Sequence, residues 1–360
     1  MKEDTCLDQA SAVRAGEEID LAALQSYLRE RLLQLSGPLH IEQFPQGFSN
    51  LTYLLRCGEH EFVLRRPPMG ANIKSGHDMS REFRILSALI KIYPKVPAPV
   101  LYCDDDNILR APFYLMQRVH GVILRNRAPQ GLELKPELMQ RICLALIDTM
   151  VELHSIDYTA AGLHELARAE GYVERQISGW TKRYANAKTD EIAEMEQAAQ
   201  WLASHQPSSF AAALIHNDYR YDNVVLDPND LSRIIAILDW EMATIGDPLM
   251  DVGTTLAYWA EANDPIALRQ FGLTSLPGNL NRQEFVERYA ERSGRVIGNM
   301  LFYFVYGLFK LGVIAQQIYA RYRLGFTRDE RFGQLIHAVR ACGQTALLAL
   351  EKDRIHDLFV

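Results

Sequence analysis

The sequence predicts an α+β fold, in which a small antiparallel sheet is followed by a larger and mainly helical region. Strand-like segments with tight connections fill much of the first third of the chain, and apolar residues at helical spacing dominate from about residue 136. With 360 residues, of which 48% are hydrophobic, the chain is long enough for two such regions. We expect a flexible leader over residues 1–19, a sheet-containing lobe over 20–117 and a helical lobe over 118–360.

The sheet-containing lobe is expected to begin with a helix. Leucines recur at helical spacing from Leu21 to Leu33, and Asp20 stands where an N-cap residue would accept backbone hydrogen bonds. Strand-like runs follow at residues 40–44, 48–57 and 61–66, and the last two are joined by a tight connection. These runs predict the start of an antiparallel sheet.

The rest of this lobe alternates helical and extended patterns. Residues 77–91 place apolar side chains on one helical face, and the prolines of residues 96–102 favour an extended segment. Residues 112–116 predict the last strand of the lobe, and residues 117–121 predict a hinge. Beyond the hinge the sequence turns helical, beginning with residues 136–154.

The charge balance and the cysteines limit the classes of function. Lys and Arg number 38 and Asp and Glu 45, so the net charge is −7, and without a basic stripe nucleic acid is not an expected partner. The five cysteines lack C-x-x-C or zinc spacing, which is typical of reduced thiols in the cytoplasm. The polar first residues predict no signal peptide. The longest apolar stretch, residues 300–315, is short for a membrane span and predicts a buried helix instead, so no membrane partner is expected.

A polar motif with two short strands lies within residues 214–251. His216, Asp218 and Asn223 form the pattern H-x-D-x-x-x-x-N, directly before a β-branched run that reads as a strand. A turn cluster and a second apolar run then lead to Asp239. Two strands joined by a tight turn would bring Asn223 and Asp239 side by side at one end of a hairpin.

This arrangement suits phosphoryl transfer from ATP. The reaction spreads charge over phosphoryl oxygens, so a protein must supply metal ions and a positioned nucleophile but little covalent chemistry. Asn223 and Asp239 offer the hard oxygen ligands that Mg²⁺ prefers, and Asp218 could orient a substrate hydroxyl and accept its proton. His216 is expected to bond a backbone group and hold the loop. Asp and Asn are also ordinary turn formers. The catalytic interpretation is favoured because several of these residues occur together at the expected spacing, with strands between them.

At these residues the chain resembles the aminoglycoside phosphotransferase family, the small-molecule branch of the protein-kinase-like fold. The D-W-E run at residues 239–241 stands where protein kinases carry D-F-G, and residues 246–251 match the G-D-P-x-x-D of the family. In detail the chain is most similar to the kinase-like domain found fused to, or encoded near, acyl-CoA dehydrogenases. The resemblance covers residues 20–345 and implies a bilobal fold that uses ATP and Mg²⁺, with Asp247 and Asp251 bracing the loops.

The resemblance also implies which residues hold the nucleotide. They are Gly47, Ser49 and Asn50 over the phosphates, Arg65 and Glu82 beside them, and Gln117 and Val119 at the hinge near adenine. Kinases keep a lysine where Arg65 stands, and arginine carries the same charge but grips phosphate in a different geometry. Glu82 lies 82 − 65 = 17 residues further along and would pair with Arg65. The alternatives are a solvated strand end for Arg65 and an exposed helical glutamate for Glu82.

The acceptor is expected to be a small-molecule hydroxyl compound other than an aminoglycoside. Aminoglycoside-modifying members need a dense acidic pocket, whereas the late helices here are aromatic and apolar and carry Arg321 and Arg323. An acyl thioester such as a hydroxyacyl-CoA is the first candidate, and an equal alternative is that these aromatic residues are simply core. Two other classes stay open, a non-catalytic kinase-like module that binds nucleotide or CoA and a metal-dependent phosphohydrolase.

Overall fold

The structure is a computed structural model that describes residues 8–33, 35–44, 50–68, 78–166, 170–327 and 329–360. The chain divides into two compact units. The first comprises Met1–Val122, Val225–Asp230 and Ile234–Met242, and the second comprises Ile123–Val224, Leu231–Arg233 and Ala243–Val360. The two-stranded hairpin that leads to Asp239 was predicted to belong to the helical lobe of residues 118–360, but most of it groups with the first unit.

The secondary structure of the described residues follows the predicted order. The strands are β1 (Leu39–Gln43), β2 (Leu51–Cys57), β3 (His60–Arg66), β4 (Pro99–Cys103), β5 (Phe113–Gln117), β6 (Ala213–Ile215), β7 (Val224–Asp227), β8 (Asp230–Ile237) and β9 (Thr244–Gly246). The helices are α1 (Leu21–Arg31), α2 (Met79–Leu89), α3 (Asp106–Leu109), α4 (Pro136–His154), α5 (Tyr172–Ala187), α6 (Ala193–Ser204), α7 (Pro248–Tyr258), α8 (Ile266–Arg269), α9 (Arg282–Ser293), α10 (Met300–Arg323), α11 (Glu330–Gly333) and α12 (Leu335–Lys352).

The first unit contains a five-stranded antiparallel sheet in the order β1-β2-β3-β5-β4. Strands β2 and β3 form a hairpin in which Leu55 lies opposite Phe62. Leu64 of β3 lies opposite Leu115 of β5. The last strand of the sheet in sequence therefore lies inside it, and β4 takes the edge, where a strand tolerates a proline such as Pro99.

Strand β3 faces the core on one side and polar residues on the other, because successive side chains of a strand point to opposite faces. Leu64 lies in the hydrophobic core with Leu24 and Leu28 of α1. Arg65 lies on the opposite face, where it meets Glu82 of α2. The same strand thus anchors the sheet and presents a charged side chain.

The predicted helix α1 is confirmed, and the side chain of Asp20 caps it. The described residues before α1 contact the sheet. Ser11 pairs with Gln43, and the hydroxyl of Tyr53 donates to the carbonyl oxygen of Glu17 at 2.6 Å. This part of the expected flexible leader is therefore held against the sheet by backbone pairing and a buried tyrosine.

Helix α10 lies at the centre of the second unit and packs against α5, α6, α7 and α12. The buried helix predicted at residues 300–315 is confirmed and extends to Arg323. Within the described ranges, α10 is long and apolar enough to cross a membrane by length and composition, yet 78% of its apolar window is buried inside the protein. Its buried aromatic residues are Phe302, Tyr303, Phe304, Tyr306, Phe309 and Tyr319. They belong to the core, as the alternative interpretation of these residues held.

Helices α7 and α10 cross at two glycines. A Cβ atom at Gly253 would meet the backbone of Tyr303, and one at Gly307 would meet the carbonyl oxygen of Gly253. Both contacts are with backbone, which cannot rotate away. We expect Gly253→Ala and Gly307→Ala each to lower the free energy of unfolding by about 1–3 kcal/mol, measured by urea unfolding.

Gly179 of α5 offers the matched control, because nothing lies within 4 Å of a Cβ built at that position. Alanine is the better helix former by about 1 kcal/mol, so Gly179→Ala is expected to leave stability unchanged or to raise it. An equal loss of stability in all three variants would show that the crossing of α7 and α10 does not depend on the two glycines.

Candidate active site

Two residues of the polar motif have left-handed backbone conformations. Asn217 has a φ of 66° and Asp239 a φ of 63°. This conformation is uncommon outside glycine and most accessible to Asn and Asp. Asn217 lies directly before Asp218, and Asp239 is itself a predicted metal ligand. Backbone strain of this kind persists only where surrounding contacts hold it.

In the second unit, the structure brings Asp218 and Asn223 together. The amide nitrogen Nδ2 of Asn223 donates to Oδ2 of Asp218 at 2.7 Å and to the backbone oxygen of Asp218 at 2.8 Å. The amide nitrogen therefore fixes the carboxylate. The Oδ1 atom of Asn223 is then the atom suited to a metal ion.

Asp218 also lies beside an arginine. Its Oδ1 atom is 3.2 Å from Nε of Arg220, whose Nη1 atom is 3.2 Å from Oδ2 of Asp222. The guanidinium group packs over the ring of Tyr258 at 4.7 Å. Burial raises the pKa of Asp222, and Arg220 opposes that shift. The Asp218 side chain remains 21% exposed, so its carboxylate is accessible to a substrate.

The buried carboxylate of Asp251 braces this loop, as predicted, whereas the contacts of Asp247 are with α7 and α10. Asp251 accepts hydrogen bonds from the backbone N–H groups of His216 at 2.6 Å and Asn217 at 2.8 Å. Asp247 caps α7 and accepts a hydrogen bond from the hydroxyl of Tyr303 at 2.8 Å. Burial acts to raise the pKa of Asp251, but the hydrogen bonds and nearby imidazoles lower it overall, so its carboxylate stays charged.

The predicted structural role of His216 is confirmed. Its ring is buried, and its Nδ1 atom accepts a hydrogen bond from the backbone N–H of Asp218 at 3.3 Å. A second histidine, His154, had no predicted role. Its Nε2 atom lies 3.2 Å from Oδ2 of Asp251, and its Nδ1 atom lies 2.8 Å from the hydroxyl of Tyr289. These residues come from α4 and α9, far from the motif in sequence.

In the first unit, Arg65 joins three carboxylates, those of Glu82, Asp239 and Glu241, and its Nη2 atom lies 3.4 Å from Oε2 of Glu241. Its Nη1 atom donates to Oε1 of Glu82 at 2.5 Å, and its Nη2 atom donates to Oδ1 of Asp239 at 2.9 Å. Burial alone would lower the pKa of Arg65, but Asp239 and Glu82 raise it well above the ordinary value. The guanidinium therefore remains charged, and the expected pair of Arg65 and Glu82 is present.

Glu82 also holds the chain beyond β8. Its Oε1 atom accepts a hydrogen bond from the backbone N–H of Trp240 at 3.1 Å. Arg81, next to it on α2, donates to the carbonyl oxygen of Glu241 at 2.9 Å. Burial raises the pKa of Glu82 to about 7 against the opposing charge of Arg65. Helix α2 thus fixes the D-W-E turn by two contacts to its backbone.

Of the three residues predicted to lie over the phosphates, the structure describes only Asn50. Gly47 and Ser49 lie outside the described residues. The side chain of Asn50 is buried and donates to Oε2 of Glu241 at 2.5 Å, a partner that sequence reasoning missed. Asn50 is therefore tied to the D-W-E turn. Its amide is already engaged with a carboxylate in this structure.

At the predicted hinge, one hydrogen bond limits which backbone groups could contact adenine. The backbone N–H of Gln117 donates to the carbonyl oxygen of Ala98 at 2.8 Å. Of the two backbone groups of Gln117, only the carbonyl is then a candidate contact to adenine. Val119 follows β5 at an intermediate level of exposure.

The donor chemistry fits magnesium. Asp239, whose side chain is 33% exposed, offers a carboxylate in the first unit, and Asn223 offers an amide oxygen in the second. Within the described ranges, His, Cys, Asp and Glu form no group of three or more that could hold a metal ion by themselves. Mg²⁺ usually binds through one or two protein oxygens, with waters and substrate phosphates as its other ligands. Two protein donors are therefore enough for a magnesium site.

Comparisons with known proteins identify the family to which the chain is similar. A model of the phosphotransferase enzyme family matches residues 40–285. Acyl-CoA dehydrogenase family member 10 of Mus musculus is 35% identical over 314 residues, which cover 86% of this chain and 29% of that protein. Acyl-CoA dehydrogenase family member 11 of Homo sapiens is 33% identical over 338 residues, which cover 92% of this chain and 43% of that protein. The chain spans less than half the length of these two relatives.

A solved structure supports the same fold. A protein of Ralstonia eutropha JMP134, assigned as an aminoglycoside phosphotransferase, matches with a TM-score of 0.78 and 29% sequence identity. The match covers 93% of this chain and 99% of that one. The predicted kinase-like α+β fold, with a small antiparallel sheet and a larger helical part, is confirmed.

Proposed function

Because the chain belongs to the phosphotransferase enzyme family, we propose that it transfers the γ-phosphoryl group of ATP to a hydroxyl group of a small molecule. The observation that carries the proposal is the pairing of Asp218 with Asn223, in which an amide fixes an accessible carboxylate. A carboxylate held in this way can meet a substrate hydroxyl in one defined direction.

Asp218 acts in the proposed reaction as the orienting group and base. The acceptor oxygen attacks the γ-phosphorus in line, the bond to the leaving oxygen of ADP breaks, and the hydroxyl proton passes to Asp218. No phosphoenzyme forms. His216 and Asp251 support the loop, and neither contacts the reacting atoms.

Arg65 acts as the phosphate-binding cation, with Glu82 holding it in place. Arginine can present two N–H groups to phosphate, and the contact of Arg65 with Asp239 keeps its Nη2 atom beside a proposed metal ligand. Asp239 and Asn223 would hold Mg²⁺, which when bound would neutralise charge on the phosphates. Gly47, Ser49 and Asn50 are proposed to lie over the phosphates, and Gln117 and Val119 near adenine.

The proposed acceptor is a hydroxyl compound other than an aminoglycoside, with a hydroxyacyl-CoA as the first candidate. The buried aromatic residues of α10 lend this no support, since they are core. Two observations do support it. Arg220, a cation, lies beside Asp218 and would not favour a polycationic sugar. The relatives are named acyl-CoA dehydrogenase family members, and this chain matches less than half of each.

The test begins with thermal unfolding of the wild type and Asp239→Ala, with and without ATP and with and without Mg²⁺. Ligand at about a hundred times its Kd stabilises by roughly 2.7 kcal/mol, which moves the midpoint measurably. We expect ATP and Mg²⁺ together to raise the midpoint in the wild type, and Asp239→Ala to lose the metal-dependent part. A midpoint that responds to neither ligand would contradict the proposed nucleotide site.

The acceptor is tested by assaying phosphoryl transfer to hydroxyacyl-CoAs and to kanamycin-type aminoglycosides side by side. We expect transfer to the hydroxyl of the acyl chain and little to the sugars. Efficient transfer to the sugars alone would overturn the acceptor proposal and leave the phosphotransferase activity standing. Binding of ATP and Mg²⁺ without transfer to any acceptor would favour the non-catalytic binding module.

A further inference from the structure

Lys310 is a buried lysine in the apolar helix α10, and only 2% of its surface is exposed. Its sequence neighbours Phe309 and Leu311 are buried as well. Burying an ammonium group costs free energy unless the group finds polar partners. The sequence showed only that this lysine interrupts an apolar run; the contacts that it makes were not predictable from that pattern.

The ammonium group of Lys310 binds the loop that precedes β7. Its Nζ atom donates to the carbonyl oxygen of Asn217 at 2.7 Å. It also lies 5.7 Å from the ring centre of Trp180 on α5, within range of a cation–π contact. The lysine therefore connects the central helix of the second unit to the residue directly before Asp218.

The peptide group that joins Asn217 to Asp218 is held at both ends. Lys310 binds its carbonyl oxygen, and its N–H group donates to Nδ1 of His216. A peptide group is planar, so fixing its oxygen and its nitrogen fixes the direction of the chain at Asp218. The left-handed φ of Asn217, 66°, is a conformation that needs such support.

Charged groups from three directions face the ammonium. Asp218 in the loop and Asp251 on α7 are of opposite charge, and Arg183 on α5 is of like charge. Burial lowers the pKa of Lys310 to about 8, and the two carboxylates oppose this shift. The lysine is thus charged at neutral pH and neutral at moderately alkaline pH.

We propose that Lys310 is a positioning residue for phosphoryl transfer, which holds the Asn217–Asp218 peptide so that the Asp218 carboxylate meets the acceptor hydroxyl. The inference rests on the proposed function, because it takes Asp218 as the base. Lysine suits the position since its side chain reaches from α10 to the loop and its charge offsets those of Asp218 and Asp251. An apolar side chain of equal length would fill the space and supply neither the donor nor the charge.

Lys310→Met and Lys310→Gln test this role. Methionine removes the donor and the charge, whereas glutamine keeps a donor and removes only the charge. Hydrogen–deuterium exchange over residues 213–224, which needs no turnover, is expected to rise about tenfold or more in Lys310→Met, with exchange in β2 and β3 unchanged. Its kcat is expected to fall on the order of a hundredfold, with the KM for ATP unchanged, because small displacements of a catalytic group are costly.

The pH dependence of kcat separates positioning from simple structural support. In the wild type, kcat is expected to fall as the pH rises through about 8, where Lys310 loses its charge. Lys310→Gln is expected to lack this decline, because no proton is lost at position 310. A decline of the same size and midpoint in Lys310→Gln would assign it to another group and overturn the role of the lysine charge.

Gln316→Met is the matched control. Gln316 is a buried polar residue of the same helix, and its amide donates to the carbonyl oxygen of Ala187 at 2.8 Å, at the end of α5. This variant is expected to keep wild-type exchange over residues 213–224 and wild-type kcat. Wild-type loop exchange or wild-type kcat in Lys310→Met would overturn the positioning role. If the wild type itself phosphorylates no acceptor, the proposed function fails, while the exchange result still decides whether Lys310 holds the loop.

Discussion

Asp218→Asn is expected to lower kcat by roughly 100- to 10,000-fold while ATP binding is retained. Asparagine has nearly the same shape as aspartate and can still contact the amide of Asn223, but it cannot accept the hydroxyl proton. The residues proposed to bind ATP, among them Arg65 and Glu82, belong to the first unit and are unchanged. The measurements are kcat for phosphoryl transfer and the Kd for ATP in the presence of Mg²⁺, the latter by calorimetry.

Asp222→Asn provides the comparison for this experiment. Asp222 lies in the same loop and shares Arg220 with Asp218, so its replacement removes a neighbouring carboxylate without touching the proposed base. We expect a much smaller decrease in kcat than for Asp218→Asn. A wild-type rate in Asp218→Asn would remove Asp218 from the mechanism. Equal losses in the two variants would point to a general effect of charge in the loop.

Arg65→Met is expected to lower the free energy of unfolding by about 3–5 kcal/mol, because it leaves the buried Glu82 and the carboxylate of Asp239 without their shared cation. Methionine fills most of the volume, so the loss reports the charge and the hydrogen bonds. Urea unfolding measures the change, and the thermal shift with ATP and Mg²⁺ is expected to disappear as well.

Arg65→Lys tests whether the shape of the cation matters. Arg65 contacts Glu82 and Asp239 through two different nitrogen atoms, and a single ammonium cannot reproduce that fork. We expect an intermediate loss of stability. A lysine variant as stable as the wild type would show that charge alone holds the cluster, and a stable Arg65→Met would show that the cluster contributes little to folding.

The sequence predicted the elements whose signal is local. The H-x-D-x-x-x-x-N pattern placed Asp218 and Asn223 in one loop, and hydrophobic periodicity placed the helices around it. The pairing of Arg65 with Glu82 needed the family resemblance, because only the fold tells which strand faces which helix. The position of β5 inside the sheet was not predictable from its place in the chain, since strand order is decided by packing.

The supporting contacts were harder to predict than the motif. His154 contacts Asp251, which lies 97 residues away in sequence, and Tyr289 contacts His154 across 135 residues. A periodic pattern shows which face of a helix is buried but not what a polar group on that face contacts. For Asn50, the loop predicted a contact with phosphate, and the structure adds a partner that the loop pattern could not show. Its amide donates to Glu241, which lies 191 residues away.

The way in which the two units share the chain limits how they could be exchanged between proteins. The first unit is assembled from three separate stretches, and its contacts to the D-W-E turn at residues 239–241 close it. A fragment of Met1–Val122 would retain Arg65 and Glu82 and lose that turn. The first unit, which holds the residues proposed to bind the nucleotide, therefore cannot be transferred to another protein as one contiguous segment or by a single recombination breakpoint. A chimera with a foreign acceptor-binding unit would need crossovers on both sides of the hairpin, so the two units are expected to evolve as a linked pair.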